Sequence, residues 1–99
     1  MKQDEFKTEM IFRKEKNGDI LAVFPYEPYN DIHNVVGCYA HLGQHGGCHF
    51  DYVLKETKPA KPEEYAALYK ELESLGYNIK VVRRRNYQRY LTELKKLRA

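Results

Sequence analysis

The chain has no tryptophan, only two cysteines, and no run of about 18 apolar residues that would predict a membrane-spanning helix. Two cysteines do not make the framework of a disulfide-rich secreted domain, and 99 residues with 42% hydrophobic content bury a modest core without one. The first seven residues are rich in charge and precede no apolar run, so we expect no secretory signal. These absences predict one cytoplasmic domain over residues 1–99, with no membrane partner.

Basic residues are concentrated near the C-terminal end. The net charge is only +3, yet from Ile79 onwards eight lysines and arginines accompany a single acid, Glu93. Cations interleaved with tyrosines are typical of nucleic-acid binding, and the candidate residues are Arg83, Arg84, Arg85, Arg89, Lys95 and Lys96. The alternative is a solvated helix with its cations near the negative end of the dipole, whose apolar residues belong to a core or to a homodimer seam.

A β-hairpin is predicted at the start of the chain. Asn17 and Gly18 lie between two apolar segments, residues 8–15 and 19–24, and both turn residues accept positive φ. Apolar residues occupy both faces of these strands, so we expect another element to cover part of the second face.

The middle of the chain is harder to assign. Residues 25–34 contain two prolines with Asn and Asp and predict a loop, and residues 35–42 predict a third strand. The segment 43–47 contains three glycines and is expected to break that strand. Residues 48–57 fit both a helical and an alternating pattern, and we favour a short helix.

The second half of the chain predicts two helices around one more strand. Pro62 begins a helix after a proline-containing connector, Gly76 ends it, residues 77–82 alternate as a strand, and Asn86 caps a helix over 86–98. The fold class is therefore α+β. We expect a small antiparallel sheet, made of the N-terminal hairpin and two further strands, packed on one face by two or three helices.

Residues 37–49 are the densest cluster of chemically versatile side chains. They include three of the four histidines, both cysteines and four of the six glycines. Imidazole and thiolate are the usual ligands of zinc and other transition metals. The candidate ligands are His41, His45, His49 and Cys48, with Cys38 as an alternative to Cys48. Their spacing fits no standard zinc knuckle, and a β-hairpin here would direct them to opposite sides.

Two other interpretations of this cluster remain open. In the first, Cys48 is a nucleophile with His41 or His45 as its base, and the glycine amides form an oxyanion hole. In the second, residues 43–47 form a turn without catalytic chemistry, His41 is bonded to a tyrosine, and the cysteines fill small apolar spaces. Such a turn can still serve in recognition, because scaffolds often present binding residues on loops.

Five short segments carry a resemblance to a known family: residues 11–14, 19–25, 39–46, 57–60 and 71–77. They resemble short uncharacterised proteins of gut bacteria and their plasmids, conjugative elements and phages. The family motif, Tyr-x-His-x-Gly-Gln-His-Gly, is matched by Tyr39, His41, Gly43, Gln44, His45 and Gly46. The resemblance spans about residues 9–84. His49 and Phe50 stand where the family has Asp-Tyr, and the segment from Asn86 onwards resembles an addition to a core of about 8–84.

These patterns favour a small non-enzymatic binding protein of a mobile element or phage. It would engage a macromolecule of the host or of the element, a protein in the first instance, for example as an inhibitor of host defence. The partner-binding residues are then His41, Gln44, His45 and His49, with no cofactor. A metal-binding protein and a nucleic-acid-binding protein are the alternatives.

Overall fold

The computed structural model describes residues 7–41 and 44–99. Leu42 and Gly43, which belong to the predicted third strand and to the break after it, lie outside these ranges. Within them the strands are β1 (Thr8–Lys14), β2 (Ile20–Pro28), β3 (Val35–Ala40), β4 (Gln44–His49), β5 (Lys58–Pro59) and β6 (Ile79–Val81). The helices are α1 (Phe50–Glu56), α2 (Pro62–Ser74) and α3 (Tyr87–Arg98). The α+β prediction is confirmed.

The strands form one sheet in the order β4-β3-β2-β1-β5. All neighbours in this order are antiparallel. The outer side of β1 has two partners, because β5 pairs with Arg13 and Lys14 while β6 lies parallel to residues 8–10. Among the described residues, β4 at the other end of the sheet pairs only with β3.

The N-terminal hairpin is confirmed, with a different turn from the one predicted. Among the residues from Glu15 to Asp19, only Gly18 has a positive φ, at 95°. The backbone N–H of Gly18 donates to the carbonyl of Glu15, and the N–H of Glu15 donates to that of Asp19. The loop therefore needs one glycine rather than two residues of positive φ, as in hairpins with a three-residue loop and a bulge.

Two apolar cores lie on opposite faces of the sheet, which corrects the expectation of helices on one face. The α2 face combines alternate residues of β1 and β2 with α2; its buried members include Met10, Phe12, Phe24, Leu68 and Leu72. The α1–α3 face uses the intervening strand residues; its buried members include Ile11, Val23, Phe50, Tyr90 and Leu94. Helices cover both faces of the hairpin, which explains why its sequence is apolar on both faces.

The C-terminal helix is part of the core rather than an appendage. Tyr90 is fully buried and Leu94 is 2% exposed, and each such side chain contributes about 1.5–3 kcal/mol of burial free energy. Asn86 caps the helix as predicted, since its Oδ1 accepts from the N–H of Arg89 at 3.0 Å. The division into a core of 8–84 and a separate basic helix therefore does not describe the packing.

Other element boundaries also differ from those predicted. β2 continues to Pro28 through a register shift, so the predicted loop over 25–34 begins as a strand. Residues 44–47 belong to β4 and do not break the sheet. The short helix favoured for 48–57 is present as α1, directly after β4. None of the helices in the described residues has the length and apolar character needed to cross a bilayer.

Candidate functional site

In the part of the chain that the structure describes, the outer edge of β4 has no partner strand and is the free edge of the sheet. The sequence of β4 is Gln-His-Gly-Gly-Cys-His. Edge strands usually carry charged residues or proline, which prevent another chain from pairing with them. β4 has neither, and two of its six residues are glycine. All four predicted partner-binding residues lie in β4 or, for His41, just before it.

The backbone of β4 exposes hydrogen-bonding groups in a regular pattern. The N–H of Phe50 donates to the carbonyl of Asn34 at 2.7 Å, so the backbone of residue 50 points towards β3. Backbone direction alternates along an antiparallel strand, and the register therefore directs residues 44, 46 and 48 towards β3 as well. The residues whose N–H and C=O groups point to the free edge are His45, Gly47 and His49, all exposed.

His41 is held by a carboxylate of α2. Its Nδ1 lies 2.5 Å from Oε1 of Glu71, and the other carboxylate oxygen of Glu71 accepts from the hydroxyl of Tyr39. With Nδ1 donating to the carboxylate, Nε2 of the imidazole is the atom left to face a ligand. The prediction that His41 bonds a tyrosine is replaced by an arrangement in which both side chains bond Glu71.

His45 lies over the α2 face among aromatic rings. Its ring meets Tyr39 edge-on at 5.0 Å between centroids and Phe24 at 5.9 Å. Its Nε2 is 3.4 Å from the hydroxyl of Tyr77. His49, by contrast, caps α1, because its Nδ1 accepts from the N–H of Tyr52 at 3.4 Å.

The two cysteines lie on the opposite side of the hairpin from His45. Cys48 contacts the core of the α1–α3 face, and Cys38 is its hydrogen-bonding neighbour. The hydrogen bond between the thiols lowers the pKa of Cys38 and, together with burial, raises the pKa of Cys48. Both cysteines are free thiols.

The predicted metal site is therefore not assembled. His41 bonds Glu71, His45 and Cys48 lie on different faces, and His49 caps a helix. Within residues 7–41 and 44–99, no three His, Cys, Asp or Glu side chains are grouped closely enough to hold a metal ion. The physical reason is the alternation of side chains along a strand, which divides the cluster between two faces.

The same alternation of side chains argues against Cys48 as a nucleophile with His45 as its base. The thiol of Cys48 is on the other face of the sheet from the ring of His45, and its pKa is raised rather than lowered. A nucleophilic cysteine needs a base within reach and thiolate character. Asp51, the acidic residue nearest to Cys48 in the sequence, accepts from the side chain of Asn34 at 3.0 Å.

A cleft of about 230 Å³ adjoins β4 on the α2 face. The aromatic residues Phe24, Tyr29 and Tyr77 line it, together with His45 and Glu27. Partial burial raises the pKa of Glu27, and the neighbouring His45 offsets part of this shift. Burial and the charge of Glu27 together raise the pKa of Tyr77. The cleft is smaller than the roughly 300–1,000 Å³ of sites for drug-sized ligands, and its size suits one side chain.

The basic residues predicted to bind nucleic acid divide into two groups. Arg85 stacks on Phe50 and Tyr90 and bonds Asn34, Arg89 pairs with Glu9, and Lys96 pairs with Glu93. Arg83, Arg84 and Lys95 are exposed. Arg83 also lines a second cleft of about 370 Å³ between β5 and β6, together with Arg13, Lys58 and Lys61. None of the described residues that line this cleft is acidic.

The predicted site residues do not include Glu27, Glu71 or Tyr29, which come from β2, α2 and the loop after β2. The sequence places Tyr77 in a predicted strand and in the segment 71–77 that carries the family resemblance, without a role in a site. Their proximity to β4 depends on long-range packing, and each taken alone is an ordinary surface or core residue. Glu71 alone had a weak local cue, since it interrupts the apolar stripe of α2 one position before Leu72.

Comparisons of the chain with models of protein families, with curated proteins and with solved structures found no match in any of the three.

Proposed function

We propose that this protein is a binding protein that captures an extended segment of another protein by adding it as a strand to the edge of β4. The observation that carries the proposal is the uncharged, proline-free edge with outward backbone groups at His45, Gly47 and His49. In strand addition, backbone hydrogen bonds supply affinity and pockets for alternate side chains supply specificity. His41, Gln44, His45 and His49 would contact the partner's side chains.

The resemblance of the sequence to proteins of plasmids, conjugative elements and phages supports a biological setting for this binding. We propose that the partner is a host or element protein in the cytoplasm and that its capture inhibits a host defence. The binding role requires no chemistry from the protein, and the dispersal of the histidines and cysteines over two faces favours a non-enzymatic function.

A library of random peptides longer than the six residues of β4 tests strand addition directly, because selection from it does not require the natural partner. We expect selected peptides to protect the amide hydrogens of His45, Gly47 and His49 from exchange, because these groups become bonded to the added strand. Protection confined to another part of the chain would overturn the proposal.

Two variants at one position separate backbone from side-chain contributions. His45→Ala removes the imidazole and keeps the outward N–H, whereas His45→Pro removes both without breaking a bond to β3. We expect both to fold, His45→Ala to weaken peptide binding, and His45→Pro to abolish it. Equal binding by the proline variant and the wild type would exclude pairing at this edge.

A second candidate function, nucleic-acid binding, is favoured by the cleft between β5 and β6 with its four cations. Exposed Arg83 and Arg84 extend this positive surface. The test is binding of single-stranded DNA or RNA as a function of salt, since phosphate contacts release counterions. Arg83→Gln with Arg84→Gln should weaken binding and flatten its salt dependence. Arg85 is left intact, because its bonds to Asn34 and two rings support the fold.

A further inference from the structure

The cleft beside β4 is lined by one acidic residue, Glu27, and by no lysine or arginine among the described residues. His45, which also lines the cleft, interacts with Glu27 and lowers the pKa of its carboxyl, against the effect of burial. The surroundings of Glu27 are aromatic on several sides, with Phe24, Tyr29 and Tyr77 in the walls. Glu27 is exposed, and partial burial raises the pKa of its carboxyl, so a positively charged group beside it would stabilise the charged form.

The walls of the cleft suit the same class of partner. The faces of aromatic rings attract cations, and arginine in particular stacks on them. Tyr29 is 58% exposed and lies over Gly47, so its ring is accessible beside the free edge. An anionic group would be repelled by Glu27, and an apolar group would cover the carboxylate without pairing it.

The route from the free edge to the cleft crosses the glycines of the hairpin. Gly37 of β3 pairs with Gly47 of β4, so neither strand places a side chain on the α2 face at this point. His45 and His49 lie two residues away on either side of Gly47. The ring of Tyr29 fills the space over Gly47, so a long side chain from a strand paired with β4 would extend over this ring towards Glu27.

We infer that the cleft binds the side chain of an arginine or lysine residue carried by the extended segment that pairs with β4. This inference rests on the proposed function, because the strand at the edge supplies the cation. The carboxylate of Glu27 accepts its hydrogen bonds, and the rings of Phe24, Tyr29 and Tyr77 contact its aliphatic part and its charged plane.

The test uses the peptides selected on the full chain. We expect a basic residue to recur at one position, and replacement of arginine there by citrulline, its uncharged counterpart, to weaken binding at least about tenfold. Glu27→Gln should remove the preference for arginine over citrulline. Glu63→Gln, at an exposed position of α2, is the matched control and should keep it. No basic preference in peptides that protect β4 would overturn this inference and leave strand addition standing.

A second measurement addresses the cleft without any peptide. Butylguanidinium, titrated into the free protein, should shift the NMR signals of Glu27 and Tyr77, and Glu27→Gln should abolish the shift. If butylguanidinium binds while no peptide protects β4, the cation site is supported and strand addition is overturned. If neither binds, both proposals fail.

Discussion

Gly47 lies directly beneath the aromatic ring of Tyr29. A Cβ atom at Gly47 would stand 2.5 Å from Cδ2 and 2.7 Å from Cγ of that ring. Because Cγ is the ring atom nearest the backbone, a small rotation of the ring does not relieve the overlap. The absence of a side chain at Gly47 therefore allows Tyr29 to form one wall of the cleft beside β4.

Gly47→Ala should consequently displace Tyr29 and destabilise the protein by about 1–3 kcal/mol, the usual cost of overpacking. Gly46→Ala is the matched control, since nothing lies within 4 Å of a Cβ at that neighbouring position. Urea denaturation of the two variants measures the difference. Equal free energies of unfolding would contradict the contact between Gly47 and Tyr29.

Arg85 should behave as a structural residue, unlike its neighbour Arg84. Its guanidinium lies 3.9 Å from the ring centroid of Phe50 and 4.2 Å from that of Tyr90, and it donates to Asn34 at 2.8 Å. Arg85→Gln should lower the free energy of unfolding by about 2 kcal/mol, because it removes a charge-assisted hydrogen bond and two ring contacts.

Arg84→Gln is the control for this measurement. Arg84 is exposed, and substitutions at such positions usually change stability by less than about 0.5 kcal/mol. Thermal or urea denaturation of both variants measures the difference in their stability. If Arg84→Gln lowered the free energy of unfolding as much as Arg85→Gln, both arginines would be needed for the stability of the fold.

The two cysteines should differ in reactivity. The hydrogen bond from Cys48 lowers the pKa of Cys38, whereas the same bond and burial raise the pKa of Cys48. Since the thiolate is the reactive form, iodoacetamide should modify Cys38 first. Cys48→Ala removes the donor and should slow modification of Cys38, even though it opens space beside it. Peptide mass spectrometry over time measures both rates, and faster labelling of Cys48 would contradict the assignment.

The contribution of Glu27 to the free energy of unfolding should fall as the pH rises. Partial burial raises its pKa in the folded protein above the ordinary value of 4.5, so between these two values the folded state binds more protons than the unfolded state. The free energy of unfolding contributed by this group therefore falls as pH increases through that interval. Neighbouring His45 acts against this shift, and the charge of Glu27 in turn acts on Tyr77.

Glu27→Gln isolates this contribution from those of the other carboxylates. Relative to the variant, the wild type should be more stable at acidic pH than at neutral pH, as measured by urea denaturation at both. Glu64 has the opposite behaviour, because its hydrogen bond from Lys14 lowers its pKa, so only the difference between wild type and variant is informative. A pH-independent difference would contradict the partial burial of the Glu27 carboxylate.

Short sequence patterns predicted the elements whose formation depends on residues close together in the chain. The hairpin around Gly18, the start of α2 at Pro62, its end before Gly76 and the cap at Asn86 all follow from backbone preferences acting within a few residues. The apolar alternation on both faces of the hairpin also indicated that something must cover the second face. These features, and with them the α+β class, follow from the sequence without any tertiary contact.

The cluster in residues 37–49 is a local feature of the sequence, but which of its side chains meet depends on strand pairing. Once residues 44–49 pair with β3, alternation directs the thiols of Cys38 and Cys48 to one face and the imidazole of His45 to the other. A one-residue shift in register would reverse this assignment, and a glycine-rich strand gives weak local information about its register. Composition alone therefore suggested a metal site that the sheet does not assemble.

The contacts that define the cleft join positions far apart in the chain. Glu27, His45 and Tyr77 come from β2, β4 and the turn after α2, and Arg85 reaches Asn34 across 51 residues. The residues next to each of these positions in the sequence do not indicate which distant residue it will contact. Strand order and the burial of two apolar faces select those partners, because the free energy of packing both cores outweighs local preferences.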